Sequence, residues 1–265
     1  MDGSASRVCS RYLPIRRVTP DLIRQMYQLY RRYYENTSLE IFLADLSRKS
    51  GVILIRRRDD AEVVGFSTVT KVRMKHGRRK VRGIFSGDTI IDPDYWGSRA
   101  LQVSFLLYML RTRLRHPFAP LFWLLISKGY KTYLLLANNF PRYYPNPDGR
   151  HPHYETLVRQ YCDQLFPGHW CERRKVLDFG DQYQCLKGQV AEITPELARR
   201  YPRIGYFEQR NPEWRRGTEL PCIGQVGYSD FLVGGLGFLR KLFRSKPQGS
   251  VDLPASEPAV QRSAQ

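Results

Sequence analysis

The sequence has few cysteines and no long apolar run, and each absence excludes a class of protein. Its 265 residues include five cysteines, which are scattered and odd in number and do not indicate a disulfide framework. The N-terminal stretch MDGSASRVCSRY has no apolar core and does not predict a signal peptide. No window holds about 18 consecutive apolar residues, the usual pattern of a membrane-spanning helix. We therefore predict a cytoplasmic protein.

Acidic residues are scarce beside basic ones. The chain has 25 Asp and Glu against 43 Lys and Arg, for a formal net charge of +18. Such a balance favours an anionic partner, namely nucleic acid, a membrane surface, an acidic carrier protein or a phosphate-bearing cofactor. A solvated basic surface is the alternative. Aromatic residues are plentiful, with 17 Tyr and 13 Phe, so most of the chain is predicted to fold.

Composition divides the chain into four parts. We predict a loose leader at residues 1–10, a folded domain at 11–192, a C-terminal extension at 193–246 and a disordered tail at 247–265. The extension contains SDFLVGGLGFLRKLFRSK at 229–246, which is apolar and then basic. This segment predicts an amphipathic helix that could lie on an anionic membrane, at the inner face. A helix docked on the domain is the alternative.

The predicted elements follow an order of strand, two helices, three strands, helix, strand and helix. Thr19 and Ser38 are predicted to cap the first two helices. The strands GVILIRR, VVGFSTVTKVRM and VRGIFSGDTII are joined by short turns and should pair antiparallel. WGSRALQVSFLLYMLRTRLR predicts a helix that is apolar on nearly every side and therefore largely buried. LFWLLI predicts an interior strand, and SKGYKTYLLLANN a helix. This order fits a mixed α/β sheet with helices on both faces.

Three stretches resemble the GNAT acyltransferase superfamily: RYLPIRRVTPDLIRQMYQLY, VVGFSTV and TIIDPDYWGSRALQVSFLLYML. The likeness covers roughly residues 11–178 and includes the order of elements. It implies a GNAT-like mixed, mostly antiparallel sheet with helices on both faces. It also implies an N-acyltransferase that moves an acyl group from acyl-coenzyme A (acyl-CoA) to an amine.

The stretch TIIDPDYWGSRALQ predicts where the acyl donor binds. A strand leads into a helix N-terminus, whose free N–H groups attract phosphate, and Arg99 adds a permanent cation. The resemblance implies that the strand lines the pantetheine arm of CoA and that the loop holds its pyrophosphate. The predicted donor-binding residues are Ile90, Ile91, Trp96, Gly97, Ser98, Arg99, Ala100 and Ser127. An ordinary strand-turn-helix junction is the alternative.

The loop departs from the family's usual pattern of Arg or Gln, two residues, Gly, one residue, and Gly or Ala. Those places hold Trp96, Arg99 and Leu101 in this chain.

Asp88 is the predicted catalytic base. Its apolar neighbours should desolvate the carboxylate and raise its pKa, and strand alternation places it on the same face as Ser86. The resemblance implies an acid from a tyrosine in the helix after the fifth strand, for which Tyr133 and Tyr130 are the candidates. A hydrogen-bonded buried carboxyl and plain tyrosine packing are the alternatives.

Other functions stay open at this point. An acyl carrier protein could be the donor, and the apolar segments fit a long-chain or lipid-like substrate. A catalytically inactive GNAT-shaped binding module is a second hypothesis. Nucleic-acid binding is a third, because LYRRYYE and MKHGRRKVRG are rich in basic residues. The His and Cys residues match no compact zinc spacing, and no metal is predicted.

Overall fold

The computed structural model describes residues 8–34, 37–180 and 192–228, without the side chains of Trp96 and Gly97. The residues described up to Gly227 form one compact unit, and Tyr228 belongs to a second. The predicted helix at 229–246 and the tail at 247–265 lie outside the described residues. Among the described helices, none has the length and hydropathy needed to cross a bilayer.

Seven of the strands in the described part of the chain form one sheet, in the order β1-β2-β3-β4-β5-β9-β6, while β7 and β8 pair with each other. The strands are β1 (Val8–Pro14), β2 (Gly51–Arg57), β3 (Val63–His76), β4 (Arg79–Ile91), β5 (Leu121–Ser127), β6 (Tyr143–Tyr144), β7 (Trp170–Cys171), β8 (Val176–Leu177) and β9 (Leu220–Val226). The first four pair antiparallel in succession, β4 and β5 are parallel, and β9 is antiparallel to β5 and β6. The prediction of a mixed, mostly antiparallel sheet is confirmed.

The helices begin where the predicted caps lie. Thr19 accepts a hydrogen bond from the N–H of Leu22, and Ser38 accepts one from the N–H of Ile41, so both predicted caps are confirmed. The helices are α1 (Pro20–Tyr33), α2 (Leu39–Ser47), α3 (Ala100–Arg115), α4 (Tyr130–Asn139), α5 (Glu155–Leu165), α6 (Pro195–Arg200) and α7 (Pro202–Arg210).

Helices cover both faces of the sheet. Helices α1, α2 and α5 pack on what we call the front face, where Phe66 and Val72 of β3 project. Helices α3 and α4 pack on the back face, where Trp123 of β5 contacts Phe105 and Phe140. The apolar core therefore lies in two layers, one on each side of the sheet.

Two predictions about α3 are wrong. The helix begins at Ala100 instead of Trp96, because Pro93–Ser98 form a 3-10 helix and Arg99 has a left-handed backbone with φ of 49°. It is also not largely buried, since Leu107 is 58% exposed and Leu114 is 63% exposed. Only one side of α3 faces the sheet, so its apolar residues cannot all be covered.

The predicted boundary after residue 192 does not separate two units. Strand β9 comes from the predicted extension at 193–246 and is inserted between β5 and β6 in the sheet. At the other end, β1 begins at Val8, inside the predicted leader. The pairing of β9 with β5 joins segments far apart in sequence, which local composition does not reveal.

Candidate active site

Strands β4 and β5 diverge in the middle of the sheet. Residues Arg82–Phe85 of β4 pair with Leu121–Leu124 of β5, and the pairing recorded in the described part of the chain ends there. Both strands continue past this point, β4 to Ile91 and β5 to Ser127. The divergence leaves backbone N–H and C=O groups on the facing edges, and such groups bind an extended ligand in the manner of another strand.

A β-bulge on β4 lies at the start of this gap. Ser67 of β3 pairs with Thr89 and Val69 pairs with Ser86, so two residues, Gly87 and Asp88, oppose the single residue between them. A bulge changes the direction in which side chains project from a strand. The bulge therefore decides where Asp88 lies.

The prediction that Asp88 shares a face with Ser86 is wrong. The indole N–H of Trp123 donates to Ser86 Oγ on the back face, with 2.9 Å between the two atoms. Asp88 interacts instead with Asp45 and Lys49 at the C-terminal end of α2, on the front face. The extra residue of the bulge breaks the two-residue alternation on which the prediction relied.

The environment of Asp88 favours its protonated form. Burial raises the pKa of Asp88 to about 6, Lys49 opposes the rise, and the neighbouring carboxylate of Asp45 adds to it. Lys49 Nζ lies 2.8 Å from Asp45 Oδ1, and the lysine side chain is 12% exposed. The pKa shift has the direction predicted from the sequence, while the catalytic role of Asp88 stays a prediction.

A second carboxylate, that of Glu219, lies near Asp88. Glu219 immediately precedes β9, and its N–H and C=O each form a 2.9 Å hydrogen bond with Leu177. Burial raises the pKa of Glu219 to about 7, Lys128 opposes the rise, and the negative charge of Asp88 adds to it. The pKa values of both carboxyl groups therefore lie near neutral pH, and the charge of Asp88 raises that of Glu219.

A buried hydroxyl also lies beside the bulge. Thr68 is 1% exposed, and its Oγ1 has no hydrogen-bond partner among the described residues. A Cβ atom on Gly87 would collide with this oxygen, so any larger residue there would have to displace the Thr68 side chain. A buried polar atom without a partner costs free energy, and a ligand in the gap could supply the missing bond.

The predicted phosphate loop forms the start of α3. Arg99 is exposed, has the left-handed backbone that glycine usually adopts, and provides no side-chain cap to the helix. The first N–H groups of α3 thus lack a capping side chain in the described structure, as an anion site requires. Ser10 fixes the loop by donating from its Oγ to the Ala100 carbonyl at 2.7 Å. Ser98, the next predicted residue, is partly exposed.

The remaining predicted donor-binding residues differ in how exposed their side chains are. Ile90 is buried under α1, so only its backbone could contact a ligand, and Ile91 beside it is partly exposed. Ser127 is fully buried, and its hydroxyl donates to the Gly129 carbonyl at 2.8 Å, closing the turn into α4. The side chains of Trp96 and Gly97 lie outside the described structure.

The two candidate acids are both buried in α4. Tyr133 is fully buried, and its hydroxyl donates to the Pro145 carbonyl at 3.2 Å. Burial and the neighbouring Tyr143 raise the pKa of Tyr133 well above its ordinary value. Tyr130 is 3% exposed, and burial alone raises its pKa. Because the hydroxyl of Tyr133 is already engaged by the backbone, Tyr130 is the better candidate.

Sequence reasoning missed Glu219, Asp45 and Lys49. Glu219 lies in GTELPC, which gives no local sign of a site. The sequence feature that could have indicated a site is its position directly before a buried strand, because a carboxylate there lies at the edge of the core. Within the described residues, no group of three or more His, Cys, Asp or Glu side chains is placed to hold a metal ion.

Comparisons with known proteins give distant structural similarities. No protein-family model and no curated protein matches the sequence. A crystal structure of a probable N-acyltransferase from Enterococcus faecalis V583 is 12% identical, with a TM-score of 0.38 over 49% of this chain and 31% of that chain. This chain thus spans about a third of the length of that protein.

Two shorter proteins are similar over more of their own length. Arabidopsis thaliana NAA60, crystallised with a bisubstrate analogue, is 13% identical, with a TM-score of 0.38 over 54% of this chain and 92% of that chain. The Escherichia coli GNAT family N-acetyltransferase YhbS, crystallised with CoA, is 15% identical, with a TM-score of 0.35 over 51% of this chain and 68% of that chain. At these TM-scores the similarities assign no activity to this chain.

Proposed function

We propose that this protein is an N-acyltransferase that transfers an acyl group from acyl-CoA to an amine. The observation that carries the proposal is the pair of carboxyl groups, Asp88 and Glu219, with raised pKa values where β4 and β5 diverge. An amine acceptor is protonated near neutral pH and must lose a proton to become a nucleophile. A base whose pKa lies near the working pH performs this task best.

The carboxyl pair accepts the acceptor's proton. With pKa values of about 6 and about 7, each group is ionised in a large share of molecules near neutral pH. The negative charges also attract the cationic acceptor, while Lys49 and Lys128 keep the pair from becoming protonated altogether. Tyr130 is the proposed acid near the leaving thiol.

The gap and the loop fit the acyl donor. Acyl-CoA would supply an acyl thioester, whose C–S bond breaks as the amide C–N bond forms. The edge of β4 at Ile90 and Ile91 would hold the amide-bearing arm through its backbone. The N-terminus of α3, Ser98 and Arg99 would hold the phosphates. The unpartnered hydroxyl of Thr68 beside the bulge is consistent with a polar ligand there.

Donor binding and chemistry can be tested separately. Calorimetric titration with acetyl-, octanoyl- and palmitoyl-CoA measures donor affinity and acyl-chain preference, and transfer to a panel of primary amines measures turnover. We expect Arg99→Ala to weaken donor binding. We expect Glu219→Gln to leave donor binding intact and to reduce kcat by about 10²- to 10⁴-fold, the usual contribution of a general base.

A matched control and three other outcomes complete the test. Glu196→Gln removes an exposed glutamate of α6 and should change neither property. Full turnover in both Glu219→Gln and Asp88→Asn would refute the proposed base. Transfer only from an acyl carrier protein would change the donor. Donor binding without turnover on any amine would favour an inactive binding module.

A further inference from the structure

A row of basic side chains occupies the back face of the β3–β4 hairpin. Starting from Val69, whose partner Ser86 contacts Trp123 on the back face, the odd-numbered residues of β3 project to that face. The ladder places Arg73 opposite Arg82 and Lys75 opposite Lys80. The row, which we call the basic ladder, consists of Lys71, Arg73, Lys75, Lys80 and Arg82.

The basic ladder has no acidic partner in the described part of the chain. No ion pair in the described part of the chain involves any of its five residues, and four of them are exposed. Like charges directly opposite each other on paired strands are destabilising. On the front face of the same strands, Val72, Met74 and Val81 are buried under α5, and this packing stabilises the hairpin. An anionic partner on the back face would relieve this repulsion.

Exposed apolar side chains lie next to this ladder, from the middle of α3 to just beyond its C-terminus. Leu107 is 58% exposed, Leu114 is 63% exposed, and Phe118 just beyond the helix is 97% exposed. Arg111 and Arg115 are exposed on the same part of the helix. Spacings of three, four and seven residues place the leucines and arginines along one side of a helix.

The basic ladder and the end of α3 are neighbours. The N–H of Arg82 donates to the Pro120 carbonyl at 2.9 Å, which ties the hairpin to the segment after α3. His116, directly after the helix, lies near Lys71, Arg82 and Arg115. Burial lowers the pKa of its imidazole most, and the three positive charges lower it further. Basic and apolar groups therefore form one continuous surface.

We propose that this surface docks the protein on an anionic lipid bilayer. Lysine and arginine ammonium and guanidinium groups bind lipid phosphates and carboxylates, while Leu107, Leu114 and Phe118 enter the boundary of the acyl chains. Nucleic acid would use the positive charges but would leave aliphatic leucines without a favourable contact. The combination of charge and exposed leucines therefore favours lipid.

Membrane docking and the candidate active site use different parts of α3. The predicted phosphate loop lies at the N-terminus of α3, and the docking surface begins at Leu107, about 10 Å farther along the helix axis. The proposal therefore does not depend on catalysis, and it can be tested with a substrate-free protein.

The test is sedimentation of the full chain with vesicles of phosphatidylcholine, with and without phosphatidylserine. We expect binding only when phosphatidylserine is present. The Arg73→Gln/Arg82→Gln variant should bind about 30-fold more weakly, at roughly fivefold per basic residue. The Leu114→Gln/Phe118→Gln variant should also bind more weakly, by about tenfold or more.

Controls separate this surface from general charge and from folding. Arg24→Gln/Arg31→Gln removes the same two charges from α1 on the opposite face and should leave binding within about threefold. Thermal unfolding should be nearly unchanged in the Leu114→Gln/Phe118→Gln and α1 variants, because their substituted residues lie at the surface. The Arg73→Gln/Arg82→Gln variant should be as stable as the wild type or slightly more stable, because two like charges no longer face each other.

Three outcomes would overturn the proposal. One is vesicle binding that both surface variants retain, which would place the contact elsewhere in the chain. Another is binding to an RNA oligonucleotide, without vesicle binding, that only the arginine variant loses. The third is self-association that the Leu114→Gln/Phe118→Gln variant abolishes, again without vesicle binding.

Discussion

Replacing Glu219 by Gln should stabilise the protein near pH 8 and have little effect near pH 4. The folded-state pKa of Glu219 is about 7, against 4.5 for an unperturbed glutamate. The folded state therefore holds this proton more tightly than the unfolded state does. The stabilisation that this provides is complete below about pH 4.5 and is lost as the pH rises to about 7.

The magnitude follows from the same two values. At about 1.4 kcal/mol per pH unit, the ionised carboxylate costs the folded state about 3 kcal/mol at high pH. Because Glu219 as a residue is only partly buried, we expect a gain of about 1–3 kcal/mol for the neutral amide, which has nearly the same shape.

Urea unfolding of the wild type and the variant near pH 4 and near pH 8 measures this difference. Glu196→Gln, on the exposed surface of α6, should show no comparable dependence on pH. An equal gain at both pH values would mean that the effect comes from packing and not from charge. A loss of stability near pH 8 would show that the ionised carboxylate is well solvated or paired, and would refute the reasoning.

Three further substitutions test the geometry of the site. Asp88→Asn removes a charge that raises the pKa of Glu219. The acid limb of the pH profile of kcat/KM should therefore move to lower pH, and a shift to higher pH would contradict the coupling. Gly87→Ala brings a methyl group into collision with Thr68 Oγ1, so thermal unfolding should show that the free energy of unfolding falls by about 1–3 kcal/mol. Adding Thr68→Ala in a double variant should partly restore this stability. Tyr133→Phe removes a hydrogen bond to a backbone carbonyl and should cost about 1 kcal/mol of stability with turnover unchanged, whereas a large loss of kcat would make Tyr133 the acid.

The parts of the fold with local signals could be predicted from the sequence. The caps at Thr19 and Ser38 and the alternating pattern of β3 depend on residues close together in the chain. For the same reason the antiparallel pairing of β2, β3 and β4 across short turns was predictable. The start of α3 was not, because a left-handed arginine at position 99 runs against the usual preference of that residue.

The candidate site could be predicted only in part. The burial of Asp88 could be predicted from its apolar neighbours. The face of the sheet to which its side chain projects could not, because one extra residue in a strand reverses the alternation. The isolated Gly87 was the available sign of that bulge. Glu219 could not be identified, because it reaches the site through the pairing of β9 with β5, whose residues are separated by most of the C-terminal half of the chain.

That same pairing has a consequence for synthesis on the ribosome. Strand β5 is almost entirely apolar, and among the described residues its one strand partner before β9 has emerged is a four-residue segment of β4. During that interval the nascent chain presents an unprotected edge with the sequence LFWLLI, the type of segment that aggregates through strand addition. We expect chains that end before Leu220 to be insoluble when expressed, and the full chain to depend on chaperones during translation more than a protein whose sheet is completed in sequence order.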